Sequence, residues 1–155
     1  AESEDAGGGA SLPADARDAF RRAEALCDEQ RFSEAVPLFQ QVLQALRGGS
    51  APPGVVAEVW AHLGVAMQSL DRVPEAIDCY RRAVSLDRSL HVCFANLATL
   101  HAYLHELEPA FEYIAQAMAL DPGNPTYRQI RQHFRDSSGG PDGAEAPKSA
   151  DADRG

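Results

Sequence analysis

An internal repeat of 34 residues is the feature that most constrains how this 155-residue chain can fold. When the sequence is shifted by 34 residues, 57–90 aligns with 91–124 without a gap. A unit of this length cannot bury its apolar face alone, so neighbouring units must stack to form one continuous core. The matched pairs are Trp60 with Phe94, Leu63 with Leu97, Ala76 with Ala110, Ala83 with Ala117, Leu86 with Leu120 and Asp87 with Asp121.

Within each unit the apolar residues recur every three or four positions, which is the spacing of one helix face, and no strand-like alternation is sustained. Pro74, Pro109 and the pair Asn124-Pro125 stand where helices would begin. The pattern therefore predicts an all-α chain. The predicted helices cover 14–29, 33–47, 56–70, 74–87, 90–104, 108–121 and 125–135.

A fainter third copy of the repeat occupies 16–49, and seven extra residues at 48–54, rich in Gly and Pro, separate it from the second copy. Each copy carries small residues on both of its helices, which would let the two helices approach closely beside bulky neighbours. The small residues are Ala23, Gly64 and Ala98 on the first helices, and Ala35, Ala76 and Ala110 on the second. The bulky ones are Phe39, Trp60, Tyr80 and Phe94.

The run Trp60-x2-Leu63-Gly64, followed by Ala76-x3-Tyr80 and Ala83, resembles the signature of the tetratricopeptide repeat family. The resemblance covers about 16–135. It implies a right-handed α-α superhelix of three repeats, at about 16–49, 57–90 and 91–124, closed by a C-terminal capping helix at 125–135. We therefore expect a repeat domain at 12–136 between low-complexity tails at 1–11 and 137–155, which we predict to be disordered.

The formal net charge of −9 is concentrated at the two ends of the chain. Residues 1–15 carry −4 and residues 136–155 carry −3, which leaves only −2 for the predicted domain. Such a balance gives no general affinity for nucleic acid or anionic membranes. No apolar stretch approaches the ~20 residues of a membrane span, and no signal-peptide core is visible. We expect a soluble, cytoplasmic chain that does not insert into membranes.

Motifs for catalysis or cofactor binding are missing from the sequence, including a phosphate loop, GxSxG, HExxH and CxxC. His101 and His105 are four residues apart and could place two imidazoles on one helix face. The repeat alignment instead assigns His101 to a packing position and His105 to a turn. Cys27 and Cys93 lack the basic cluster that would activate a thiol. We therefore expect no enzyme activity, no metal site and no cofactor.

The family resemblance implies that the first helix of each repeat lines a concave groove, and that the groove binds a protein or peptide partner. An apolar groove with scattered polar groups suits an extended segment or a partner helix. The groove-facing residues would be Phe20, Glu24, His62, Val65, Asn96, Thr99 and Tyr103. Arg17, Glu58, Gln68 and Val92 would lie at its edges.

One subfamily of these repeats grips the acidic C-terminus of heat-shock chaperones with a carboxylate clamp of lysine, asparagine and arginine. The corresponding positions here hold Phe20, Glu24, His62, Val92 and Asn96. Only Asn96 matches in kind, and a carboxylate placed beside Glu24 would be repelled. We therefore predict that this chain has no such clamp.

Three functional hypotheses follow from the sequence. The favoured one is a non-catalytic adaptor or scaffold subunit, monomeric alone or part of a hetero-complex, that binds a partner protein segment in the groove. The alternative is a chaperone similar to the small acidic three-repeat chaperones of bacterial secretion systems, which the run from Leu63 to Gln68 loosely resembles. The third is a regulatory repeat domain of an enzyme, which the low-complexity ends disfavour.

Overall fold

The computed structural model describes residues 12–49 and 51–139, and these form seven α-helices without strands. The predicted all-α class is confirmed, and every predicted helix boundary lies within three residues of the observed one. None of the helices in the described ranges is long and apolar enough to cross a bilayer. The helices are α1 (Ala14–Asp28), α2 (Phe32–Ala45), α3 (Pro53–Ser69), α4 (Val73–Leu86), α5 (His91–Tyr103), α6 (Leu107–Leu120) and α7 (Pro125–Ser137).

The helices stack as consecutive pairs. Helix α1 packs on α2, α3 on α4, and α5 on α6, and successive pairs meet where α2 contacts α3 and α4 contacts α5. Helix α7 covers α6, with the Phe134 ring edge-on to the Phe111 ring at 5.8 Å. The predicted capping helix extends two residues further than expected, to Ser137. The predicted tail at 1–11 lies outside the described residues, and so does the predicted tail at 137–155 except for 137–139, where Ser137 is the last residue of α7.

The same turn geometry joins the two helices of each pair. Gln30, Asp71 and His105 adopt positive φ angles of 60°, 58° and 62° immediately after the first helix. In each turn the next amide donates to a carbonyl five residues earlier, which is the Schellman arrangement that satisfies the last carbonyls of a helix. These bonds run from Arg31 to Leu26 (2.7 Å), from Arg72 to Met67 (2.9 Å) and from Glu106 to His101 (2.8 Å).

The spacing of these turns shows the repeat in the backbone itself. The turn residues Asp71 and His105 are 34 positions apart, whereas Gln30 and Asp71 are 41 positions apart. The difference of seven equals the length of the inserted 48–54 segment. The first pair therefore follows the same internal geometry as the other two, although its sequence match is fainter.

The structure corrects the extent of the Gly/Pro connection. We predicted that the third helix begins at 56, but α3 begins at Pro53, with Pro52 as the residue before it. A proline at the first helical position loses no hydrogen bond, because that amide has no partner within the helix, and its φ angle already suits the helix. The end of the inserted segment is therefore the first turn of α3.

Small residues bring the helices of each pair into contact, as predicted. The side chains of Phe39 and Tyr80 fill the space beside them and have no exposed surface. Gly64 is also buried, and the ring of Tyr80 lies directly against it. The predicted alanines with no exposed surface are Ala23, Ala35, Ala76, Ala98 and Ala110.

Trp60 differs from its predicted place in the core, because it is only partly buried. The guanidinium of Arg82 lies 4.7 Å from the centre of its ring. The indole lines a cavity of about 440 Å³ at the junction of α2 and α3, where its neighbours are both apolar and polar, including Leu43, Gln44 and Arg47. One side of the indole therefore remains open at this cavity.

The Gly64–Tyr80 contact yields a stability prediction. A Cβ at Gly64 would lie 2.8–2.9 Å from two ring carbons of Tyr80, and this buried ring cannot move away. We expect Gly64→Ala to lower the free energy of unfolding by about 1–3 kcal/mol, measured by urea denaturation. Gly54→Ala in the same helix is the matched control. Its Cβ would meet nothing closer than 3.9 Å, so a change within about 0.5 kcal/mol is expected. Equal losses in both variants would contradict this account.

Candidate functional site

A cavity of about 510 Å³ opens between α1, α3 and the start of α5. Five of the seven residues predicted to face a groove line it, together with Glu58 and Val92, which were predicted at the groove edges. The structure therefore brings residues from three successive first helices to one surface. We call this surface the groove. The five predicted residues are Phe20, Glu24, His62, Val65 and Asn96.

His62 stands at the centre of the groove and connects α1 with α3. Its ring lies edge-on to Phe20 at 5.1 Å and contacts Phe39 at 5.8 Å between ring centres. Nδ1 lies 2.8 Å from the carbonyl oxygen of Glu58, and Nε2 lies 3.4 Å from the Glu24 carboxylate. A carbonyl oxygen only accepts hydrogen bonds, so Nδ1 carries a hydrogen and Nε2 faces the carboxylate.

The apolar part of the groove has a buried floor and exposed walls. Phe20 is only 3% exposed, so its ring forms part of the groove floor and offers little apolar surface to a ligand. Val65 and Val92 are 44% and 54% exposed. Exposed valines on either side of a concave surface can bury apolar side chains of a bound molecule.

Thr99 and Tyr103, the remaining predicted residues, lie further along α5 in two smaller cavities of about 260 and 370 Å³. Thr99 follows Asn96 by three positions and its hydroxyl donates to the Asn96 carbonyl oxygen at 2.9 Å. Residues three apart share one helix face, so these cavities continue the groove. Tyr103 is 64% exposed there, and Gln68, a predicted edge residue, lines the smaller cavity.

Sequence analysis missed the residues that the turn between α4 and α5 contributes to the groove. Ser89, Leu90 and His91 all line the main cavity. The Nδ1 atom of His91 is 2.6 Å from the hydroxyl of Tyr127 on α7, so the seventh helix supports the rim of the groove. A pattern based on helix faces could not identify these residues, because they lie in or next to a turn.

Tyr80, on the second helix of the middle pair, supports the groove from below. Its hydroxyl donates to the Gln68 side-chain oxygen at 2.9 Å. Burial raises the pKa of Tyr80 well above its ordinary value, while a hydrogen bond from Asn96 acts in the opposite direction. The phenol therefore stays neutral and remains a donor at physiological pH, and it connects α4 with groove residues of α3 and α5.

The groove and its continuation are lined by acidic side chains and by histidines. Glu24 and Glu58 line the main cavity and Asp71 lines its continuation, and no Lys or Arg of the described ranges lines any of these three cavities. Arg17, predicted at the edge, donates its guanidinium to the Leu12 carbonyl oxygen at 3.0 Å. The fixed charges that face a bound molecule are therefore negative.

The two spaced histidines take the positions that the repeat alignment assigned to them. His101 is 13% exposed, stacks on Tyr113 at 5.3 Å, and has Nδ1 2.6 Å from the Glu106 carboxylate. His105 lies in the turn after α5. Within the described ranges no three His, Cys, Asp or Glu side chains are grouped as a set of metal ligands.

The three cysteines are free thiols within the described residues. Burial is the main cause that raises the pKa of Cys79 and of Cys93 to about 11. Burial also raises the pKa of the partly buried Cys27, and the neighbouring Asp28 and Glu24 add to this effect. Thiols with raised pKa values are poor nucleophiles at neutral pH, because the thiolate is the reactive form.

This arrangement predicts an order of thiol reactivity. At a pH of about 7.5, where thiols of ordinary pKa react readily, we expect N-ethylmaleimide to modify Cys27 faster than Cys79 or Cys93. The reason is that only Cys27 is partly exposed. Mass spectrometry of peptides from the native protein measures the order. Protein unfolded in urea is the control, where all three thiols should react at similar rates. Fast modification of Cys93 in the native protein would contradict the burial of this thiol and would indicate a reactive thiol in the groove.

Comparison with known proteins supports the same fold. The family model described as tetratricopeptide repeat matches residues 57–90, which run from α3 through α4 to the turn before α5. A comparison with curated protein sequences found no significant match.

Three solved structures show how similar the folds are. MamA has a TM-score of 0.73 at 18% identity, over 83% of this chain and 71% of that one. The tetratricopeptide-repeat domain of Arabidopsis OM64 has a TM-score of 0.71 at 15% identity, over 84% and 99%. The second such domain of human RPAP3, in complex with the HSP70 peptide SGPTIEEVD, has a TM-score of 0.66 at 20% identity, over 75% and 91%.

These comparisons confirm the predicted repeat and the predicted fold. The chain contains a tetratricopeptide repeat at 57–90 and has the fold of tetratricopeptide-repeat proteins. At such identities the structural likeness extends to the fold alone.

Proposed function

We propose that this tetratricopeptide-repeat chain is a non-catalytic adaptor or scaffold subunit that holds a segment of a partner protein in the groove. The observation that carries the proposal is the cavity of about 510 Å³ between α1, α3 and α5. Val65 and Val92 stand exposed in that cavity. Clustered apolar side chains that remain exposed in a concave surface are typical of a binding site.

The size of the groove supports a short segment as its occupant. The main cavity of about 510 Å³ lies within the usual size range of ligand pockets and is bounded by only three first helices, so a few residues of a partner chain would fill it. The related fold of human RPAP3, which is in complex with a nine-residue HSP70 peptide, supports binding of a segment on this scale.

The chemistry of the groove argues for a ligand unlike that peptide. SGPTIEEVD is acidic, because it has two glutamates and ends in an aspartate. The groove presents Glu24 and Glu58 to a ligand, and no Lys or Arg of the described ranges lines it. Like charges at close range in a partly desolvated groove repel each other.

We therefore predict that SGPTIEEVD binds weakly or not at all. Fluorescence anisotropy of the labelled peptide measures this, and the human RPAP3 domain is the positive control. We expect a Kd above about 100 μM for this chain, equivalent to less than about 5.5 kcal/mol of binding free energy. A low-micromolar Kd would show that the groove accommodates the acidic terminus after all.

Photo-crosslinking tests the proposed function directly. A photoreactive phenylalanine placed at Val65 or Val92 should capture the same partner from cells. The same residue at Arg81 on α4 or Ala115 on α6 is the control, because these exposed positions line none of the described cavities. An adaptor should give one folded partner in a fixed ratio, whereas a chaperone should give many unfolded clients. Equal capture at all four positions would contradict binding in the groove.

A further inference from the structure

We propose that the occupant of the groove is a basic segment, in which a lysine or arginine stands beside apolar residues. Its cation would lie against Glu24 and Glu58, and its apolar side chains against Val65 and Val92. The proposal deepens the proposed function and rests on it.

The unbalanced carboxylates are the first observation behind this proposal. The Glu24 side chain is 43% exposed, and the His62 ring beside it balances its charge only when that ring is protonated. Glu58 has no ion-pair partner among the described residues. A ligand that covers two carboxylates removes water from them, which is costly unless the ligand brings a positive charge.

The orientation of His62 is the second observation. With its hydrogen on Nδ1 directed at the Glu58 carbonyl oxygen, Nε2 of the neutral ring is an acceptor. This nitrogen faces another acceptor, the Glu24 carboxylate, at 3.4 Å. Two acceptors at this distance are favourable only when a donor joins them or the ring takes up a second proton. An ammonium or guanidinium group of the occupant can donate to both.

The surroundings of these groups explain why the basic residue should have apolar neighbours. The floor beside His62 is the buried ring of Phe20, and Val65 stands one helical turn further along α3. The methylene stem of a lysine or arginine can pack on such a surface while its charge reaches a carboxylate. Residues next to it in an extended segment would then reach Val65 and Val92.

Charge complementarity also separates this occupant from the others that the groove could meet. The chain's own ends, with −4 in residues 1–15 and −3 in residues 136–155, would bring like charge to Glu24 and Glu58. A second copy of the chain has the same unfavourable balance. Nucleic acid and anionic membranes would be repelled by the same carboxylates.

The test is a selection from a library of capped eight-residue peptides that vary in both charge and apolar content, with the full chain as bait. We expect enrichment of peptides with lysine or arginine next to leucine, isoleucine, valine or phenylalanine. For a selected peptide, Glu24→Gln and Glu58→Gln should each weaken binding about two- to fivefold, as for partly exposed ion pairs. Affinity should also fall as salt rises.

Two further variants separate the possible outcomes. Glu112→Gln on α6, which lines none of the described cavities, is the matched control for charge and should leave Kd unchanged. Val65→Asn, which removes an apolar contact from the wall without changing its charge, should weaken binding of any groove ligand. Circular dichroism melts check that every variant is folded.

Each outcome then decides one of the two proposals. Enriched peptides that are neutral or acidic, or affinities unchanged in Glu24→Gln and Glu58→Gln, overturn the basic occupant. If Val65→Asn still weakens binding in that case, the groove remains the site and the proposed function stands. A library without enriched peptides, or an affinity unchanged in Val65→Asn, overturns both.

Discussion

The close contact between Gly64 and the ring of Tyr80 is the interaction on which the rest of the structure depends. It lets α3 and α4 approach closely, and it buries the whole Tyr80 side chain between them. The Tyr80 hydroxyl then reaches Gln68, while the ring lines the base of the groove. A larger residue at 64 would force α3 and α4 apart, because the buried ring has no room to move, and the groove floor would shift with them. Stability and site geometry are therefore connected through one contact.

The groove exists because each first helix leaves part of its surface uncovered on the concave side of the stack. The second helices α2 and α4 direct Phe39 and Tyr80 into the core, where both are fully buried. The first helices keep part of their surface at the concave side, where Val65 and Val92 remain exposed. His62 connects neighbouring first helices through its contacts with Phe20 and Glu24. The same packing that stabilises the stack thus leaves a continuous surface available to a ligand.

The sequence predicted the helices and much of the groove from the repeat, because a 34-residue period assigns equivalent positions to equivalent environments. The boundaries were good to within three residues, and the largest error was at Pro53. There two consecutive prolines and a glycine indicated a loop, but a first-turn proline is also a favourable helix start. Trp60 was misjudged for a different reason. Its equivalent position predicts burial, but the indole lines an open cavity at the junction of α2 and α3 and is only partly buried.

What the sequence by itself determined is the local and periodic part of the protein: the helices, the small residues where they cross, and the face that each first helix presents. Such features depend on residues three, four or 34 positions apart, which a single chain reveals. Only the tertiary structure decided how residues without a periodic relation meet. It placed Ser89, Leu90 and His91 at the groove rim, joined His91 to Tyr127 of α7, and set Nε2 of His62 opposite Glu24. These contacts depend on the angles between stacked helices, which side-chain packing across the whole stack determines.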